Sequence, residues 1–300
     1  MAYASIPVDV FNPGQVFACL GLAEAAEVLH GGSEAGFDWS DEANARFSLW
    51  ADGADNPLHS VLDFLGAASV LTTAPSGSAN DTARWDLPTV QNAPDAPFPF
   101  PDPDSPATLP AVLEHDGRRV VVDHWGDTQR DNVKFWAGAG GYPGAALLRD
   151  GLDLVRTAIR TDLPRVAVDP FALSAPQSSS LRLDWRRDYV PLDAGFSLNE
   201  HPMEPRGYPL VEILAAIGLT HARPERPDLR DKLAYRYGII GRGSNDEPHD
   251  FCRVPLLFGR AALGCASLPW PTRRFRMALK WPGQENQARC ITTVTEENHL

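Results

Sequence analysis

Apolar positions along the chain switch between helical and alternating spacing with no regular strand–helix order. Tyr3–Val8 predicts a strand. Asn12-Pro13 then predicts a helix start, because an asparagine side chain can accept a first-turn amide and proline suits the first helical position. The run Gln15–Leu29 is apolar almost all round, which predicts a buried helix ended by Gly31-Gly32. Gly36–Ser40 and Arg46–Trp50 predict two strands, and Asn56-Pro57 opens a second helix to about Ala68. Further on, Arg118–Asp123 predicts a strand and Ala145–Ile159 a helix. A Gln177–Ser180 turn precedes the strand-like Leu181–Trp185. A further clear helix spans about Pro209–Leu219. The end is strand-rich, at Leu233–Ile240, Thr272–Trp281 and Ala288–Thr295. Mixed helices and antiparallel strands without βα alternation predict an α+β fold.

Residues 71–110 break this pattern. Nine of these forty positions are proline, and Phe98-Pro99-Phe100-Pro101-Asp102-Pro103 cannot form a regular ladder. A long surface loop is expected, either a domain linker or a partner-binding arm. This gives an organisation of 1–110 and 111–300. One internal echo crosses that boundary: Ala18-Cys19-Leu20-Gly21-Leu22 matches Ala215-Ala216-Ile217-Gly218-Leu219. It fits either a degenerate αββ duplication or two helices that each need a glycine for close packing.

Charge sharpens the division. The chain of 300 residues has a formal net charge of −12. Residues 1–150 hold 7 Lys and Arg against 21 Asp and Glu, a net of −14, and residues 151–300 hold 20 against 18, a net of +2. Arginine, the base whose planar fork suits phosphates and base edges, outnumbers lysine by 24 to 3. A GC-rich genome also favours arginine codons, so the distribution says more than the count. No run approaches the roughly 18 apolar residues of a membrane helix. No basic segment followed by an apolar one opens the chain, so a cytoplasmic protein without a signal peptide is expected. Cys19, Cys252, Cys265 and Cys290 lack C-x-x-C spacing, which disfavours zinc ribbons, iron–sulfur clusters and redox dithiols.

Signs of catalysis are weak. Gly138-Ala139-Gly140-Gly141-Tyr142-Pro143-Gly144 precedes a helix but matches neither a dinucleotide fingerprint nor a Walker A loop. It suits a close-packing loop, or one that meets a nucleic-acid backbone. His124, between Asp123 and Asp127, fits a catalytic or metal cluster, or a cap at a strand end. No G-x-S-x-G elbow and no paired carboxylates with acid–base spacing stand out. The expectation is no enzyme, no metal and no cofactor. A metal-independent endoribonuclease using His124 or His201 is the enzymatic alternative.

The arginine segments say more. Alternation over Thr272–Trp281 places Phe275, Met277, Leu279 and Trp281 on one face and Arg274, Arg276 and Lys280 on the other, beside Arg273. Arg182, Asp184 and Arg186 would share one strand face before Arg187, with Trp185 and Tyr189 near for base stacking. Arg236 and Arg242 flank a third stripe, and Lys134 adds a cation in the Gly-loop region. Each stripe also fits an ordinary solvated sheet face with acidic partners. Three of them in the basic half, beside an acidic half, bring the nucleic-acid reading level with the solvated-face one.

Several long segments carry a resemblance. They are Ala4–Gly21, Arg130–Gly144 (RDNVKFWAGAGGYPG), Pro170–Tyr189 (PFALSAPQSSSLRLDWRRDY), Tyr208–Pro224 and Pro271–Arg276. Together the chain resembles the small Csb-type family of CRISPR type I-G loci, formerly type I-U, described as a large subunit of that effector complex. The resemblance implies a non-catalytic subunit of an RNA-guided DNA surveillance complex (Cascade). Implied partners are crRNA, target DNA, the backbone subunit, the fused crRNA-capping and processing subunit, and the CRISPR helicase-nuclease, with no membrane. Its implied task is to read the target-flanking motif and help open the duplex. An assembly scaffold or nuclease-recruitment subunit is the alternative.

Overall fold

The computed structural model describes residues 1–53, 55–78, 81–90, 109–124, 142–177, 179–187, 195–196, 201–231, 233–243, 253–280 and 290–297. It has an α+β architecture. The strands are β1 (Ala2–Pro7), β2 (Ser33–Asp38), β3 (Arg46–Ala51), β4 (Ser69–Thr72), β5 (Leu109–His115), β6 (Arg118–His124), β7 (Ala175–Pro176), β8 (Arg206–Gly207), β9 (Ala234–Arg242), β10 (Val254–Pro255), β11 (Thr272–Lys280) and β12 (Cys290–Glu297). The helices are α1 (Pro13–His30), α2 (Pro57–Ala67), α3 (Gly144–Thr161), α4 (Leu163–Val168), α5 (Pro209–Gly218) and α6 (Leu256–Leu263).

The large sheet runs β1-β3-β2-β9-β11-β12, with β10 paired to β2. Its pairs are antiparallel except β2–β9, which run parallel at Phe37↔Gly241 and Asp38↔Arg242. A second sheet is β4-β5-β6, and β7 pairs with β8. β2 and β9 join the two segments of the sequence, and one hydrophobic core extends from Ile6 to Ile291. The division at 110/111 is therefore one of charge and composition; the two segments share the large sheet and the core. The Pro-rich stretch lies outside the described residues from 91 to 108.

The predicted helix starts form as their chemistry requires. Asn12 Oδ1 accepts from the Gly14 amide at 3.1 Å, and Asn56 Oδ1 from Leu58 and His59 at 3.0 and 3.1 Å. Gly31 ends α1 at φ 76°. α1 is buried nearly all round because the large sheet covers one side and α5 the other. Phe17 meets Tyr237 edge-on at 5.8 Å, and the Tyr237 hydroxyl donates to the Val10 carbonyl at 2.8 Å. At the α1–α5 crossing, Gly21 faces the backbone of Leu214 and Gly218 that of Phe17 and Gly21. That backbone-to-backbone approach accounts for the internal echo. The two helices are not equivalent in packing, since α1 lies on β2 and β3 while α5 lies on α1 and α3.

Candidate nucleic-acid interface

Residues directly opposite one another in a sheet share a face. On the inner face, Tyr235, Tyr237, Phe275 and Met277 are fully buried. The alternation read along β11 holds: Phe275, Met277 and Leu279 point inward, while Arg276 and Lys280 are exposed and Arg274 half-buried. Trp281 lies outside the described residues. Arg276 lies opposite Arg236, and Arg274 opposite Gly238 and Glu297. Arg236, Arg242, Arg274, Arg276 and Lys280 thus take the outer side, where α6 covers Gly238 and Ile240 between them, while Arg273 takes the inner side with Phe275.

Most of that positive charge is compensated. Arg236 pairs with Glu297 at 2.8 Å and approaches Glu225 at 3.8 Å. Arg273 forks onto Glu296 at 2.6 and 2.5 Å, and Arg242 binds Asp38 at 2.5 Å. Burial would raise the Asp38 pKa. The Ser40 hydroxyl and amide together with the Arg242 guanidinium outweigh it and hold Asp38 below the ordinary carboxylate value. Arg274 and Arg276 have no carboxylate within ion-pair distance among the described residues, and the Arg274 Nε is buried without a hydrogen-bond partner. The Cys265 thiol lies in the field of this cluster. Burial, then Glu225, pushes its pKa up to about 12, against Arg274 and Arg236, which favours the protonated thiol.

The 181–187 stripe is corrected. Residues 181–184 form no strand: Arg182 is left-handed at φ 60°, and Trp185–Arg187 is one 3-10 turn. Local backbone reversal breaks the alternation, so Arg182 and Arg186 do not share an exposed face. Asp184 is 0% exposed. Its Oδ1 accepts from Asn12 Nδ2 at 3.0 Å and from the Arg186 amide at 2.9 Å. Arg186 forks onto the same carboxylate, donates to the Phe171 carbonyl at 2.9 Å and stacks 3.4 Å above the Tyr208 ring. Glu212 Oε1 accepts from the Leu183 and Asp184 amides, each at 3.0 Å. Asp184 and Arg186 together tie this segment to the N-terminal ends of α1 and α5. Lys134 and the Arg187 side chain lie outside the described residues, as do the side chains of Asp123 and His124. Among the described residues, no group of three His, Cys, Asp or Glu could hold a metal ion.

Sequence reasoning missed a second outer-face feature. Tyr3 on β1 lies opposite Trp50 on β3, their ring centroids 5.1 Å apart, and Ser5 opposite Ser48. With Arg46, Asp38 and Arg242 they line an open groove of about 230 Å³. Period two already put Tyr3 and Ser5 on one face, and Trp50, Ser48 and Arg46 on another. The pairing of the two strands was the absent information. No helix among the described residues is long and apolar enough to cross a membrane. No protein-family model matches the chain, and neither a curated protein nor a solved structure matches it.

Proposed function

We propose that this chain is a non-catalytic, cytoplasmic subunit of an RNA-guided DNA surveillance complex of CRISPR type I-G, acting in recognition of target DNA and its flanking motif. The observation that carries the reading is the outer face of β11. Arg274 and Arg276 stand there without carboxylate partners among the described residues, on the same face as exposed Lys280. Guanidiniums on a rigid strand can hold phosphates or guanine edges, while crRNA pairing reads the guide sequence. The paired residues Arg236 and Arg242 lie on the same side as this strip and leave its charge local, which fits a chain of net charge −12.

The test reconstitutes the complex with and without this chain and presents duplexes randomised at the flanking positions, at two salt concentrations. Omission is expected to abolish the flanking-motif preference. Unchanged preference would refute the reading. A scaffold role is favoured by one observation, the carboxylate pairing of most stripe arginines, and predicts that omission breaks assembly and leaves DNA selectivity alone.

A further inference from the structure

The groove on β1, β3 and β2 lies on the N-terminal part of the sheet, and the β11 strip does not use it. Its floor is the Tyr3–Trp50 pair, tilted 38°, with Tyr3 50% exposed. One rung along, the Tyr3 hydroxyl shares a hydrogen bond with Ser48 Oγ at 3.3 Å. Arg46 forms the next wall. Its Nε donates to Ser5 Oγ and its Nη2 to the Ser5 carbonyl, both at 2.9 Å. Two of its five N–H donors are thus spent on holding it in place, and the others remain for a ligand. Arg46 has no carboxylate partner among the described residues, whereas Arg242 is neutralised by Asp38 and Arg253, above the Trp50 ring at 5.6 Å, by Glu34.

A pre-positioned guanidinium with no carboxylate partner among the described residues, beside the exposed Tyr3 ring and the half-buried Trp50, suits an anionic ligand with a flat face. A base reaches an aromatic platform only when it is not stacked in a duplex. The geometry points to a single-stranded nucleic-acid segment, with a base on Tyr3–Trp50 and its phosphate on Arg46. This rests on the nucleic-acid reading above for its ligand class, but not on the β11 arginines. The chemistry is common to RNA and single-stranded DNA.

Fluorescence anisotropy of the full chain with a labelled strand of about eight nucleotides, a length within the range that such surfaces cover, tests it in low salt. RNA and DNA of one sequence form the two arms, and the tighter one names the source. Wild type is expected to bind. Tyr3→Ala should weaken binding roughly ten-fold, Tyr3→Phe should retain it, and Arg46→Ala should weaken it and flatten its salt dependence. Tyr3 is half exposed, so removing its ring leaves the fold, which circular dichroism checks. Binding unchanged by Tyr3→Ala, or no binding by wild type to either strand, overturns the groove. Short-strand binding lost on replacing Arg274 and Arg276 instead also overturns it, and leaves the β11 reading standing.

Discussion

Gly21→Ala tests the packing on which the whole arrangement rests. A methyl group at Gly21 would lie 1.8 Å from the Leu214 carbonyl oxygen and 2.7 Å from its carbon, whereas ordinary contact begins near 3.4 Å. The obstacle is backbone within a helix, so no side chain can rotate away. α1 and α5 must separate by more than an ångström, against the large sheet on one side of α1 and α3 behind α5. Overpacking of a tight core costs about 3 kcal/mol at the upper end of its usual range. Replacing a helical glycine by alanine returns about 1 kcal/mol, leaving a net loss of about 2 kcal/mol. For a chain of this length that is a fall in Tm of about 3 °C. Gly151→Ala in α3 is the internal control. Its nearest neighbour would be Pro209 Cβ at 3.7 Å, an ordinary contact, so it should raise Tm slightly. Thermal and urea unfolding of both variants measure this. Gly21→Ala as stable as wild type, or Gly151→Ala the worse of the two, would refute the crossing.

Two further outcomes follow from buried charge. Asp184→Ala leaves the Asn12 amide and the Arg186 guanidinium without their acceptor in a fully buried site. Breaking a buried pair costs about 3–5 kcal/mol; because Arg186 is 27% exposed, about 2–3 kcal/mol is expected in urea unfolding, and a loss under 1 kcal/mol would contradict the network. Asp38 titrates below its ordinary value when folded, so its contribution to stability is present above the unfolded pKa of about 3.9 and is lost as pH falls through the lower folded value. Asp38→Asn should then be less stable than wild type at pH 7, and the gap should begin to close below pH about 4 and vanish below the folded value; a gap that persists there would exclude the ion pair with Arg242 as its source.

How much was legible depends on how local the determinants are. The Asn-Pro starts of α1 and α2 and the burial of α1 are written in consecutive residues. The outward side of β11 follows from alternation alone. The Leu181–Trp185 strand was misread because Arg182 turns left-handed and Asp184 points inward to meet Asn12, 172 positions away in sequence. The arginine stripes read as more basic than they are because their acceptors arrive from other strands: Glu296 and Glu297 from β12, and Asp38 from β2. β5 was hidden because Pro110 and the proline-rich stretch before it masked its apolar run, and α6 because it is only 8 residues long. The Tyr3–Trp50 platform needed the β1–β3 register, which no single segment contains.

The central claim is that the outer face of β11 touches target DNA. Its most direct test is DNA binding by the reconstituted complex carrying Arg274→Ala and Arg276→Ala, over a salt series, with assembly checked by size-exclusion chromatography. An intact complex with weakened DNA loading is expected, its salt slope shallower by about 1 per lost phosphate contact. An intact complex that loads DNA with wild-type affinity and slope would contradict the account.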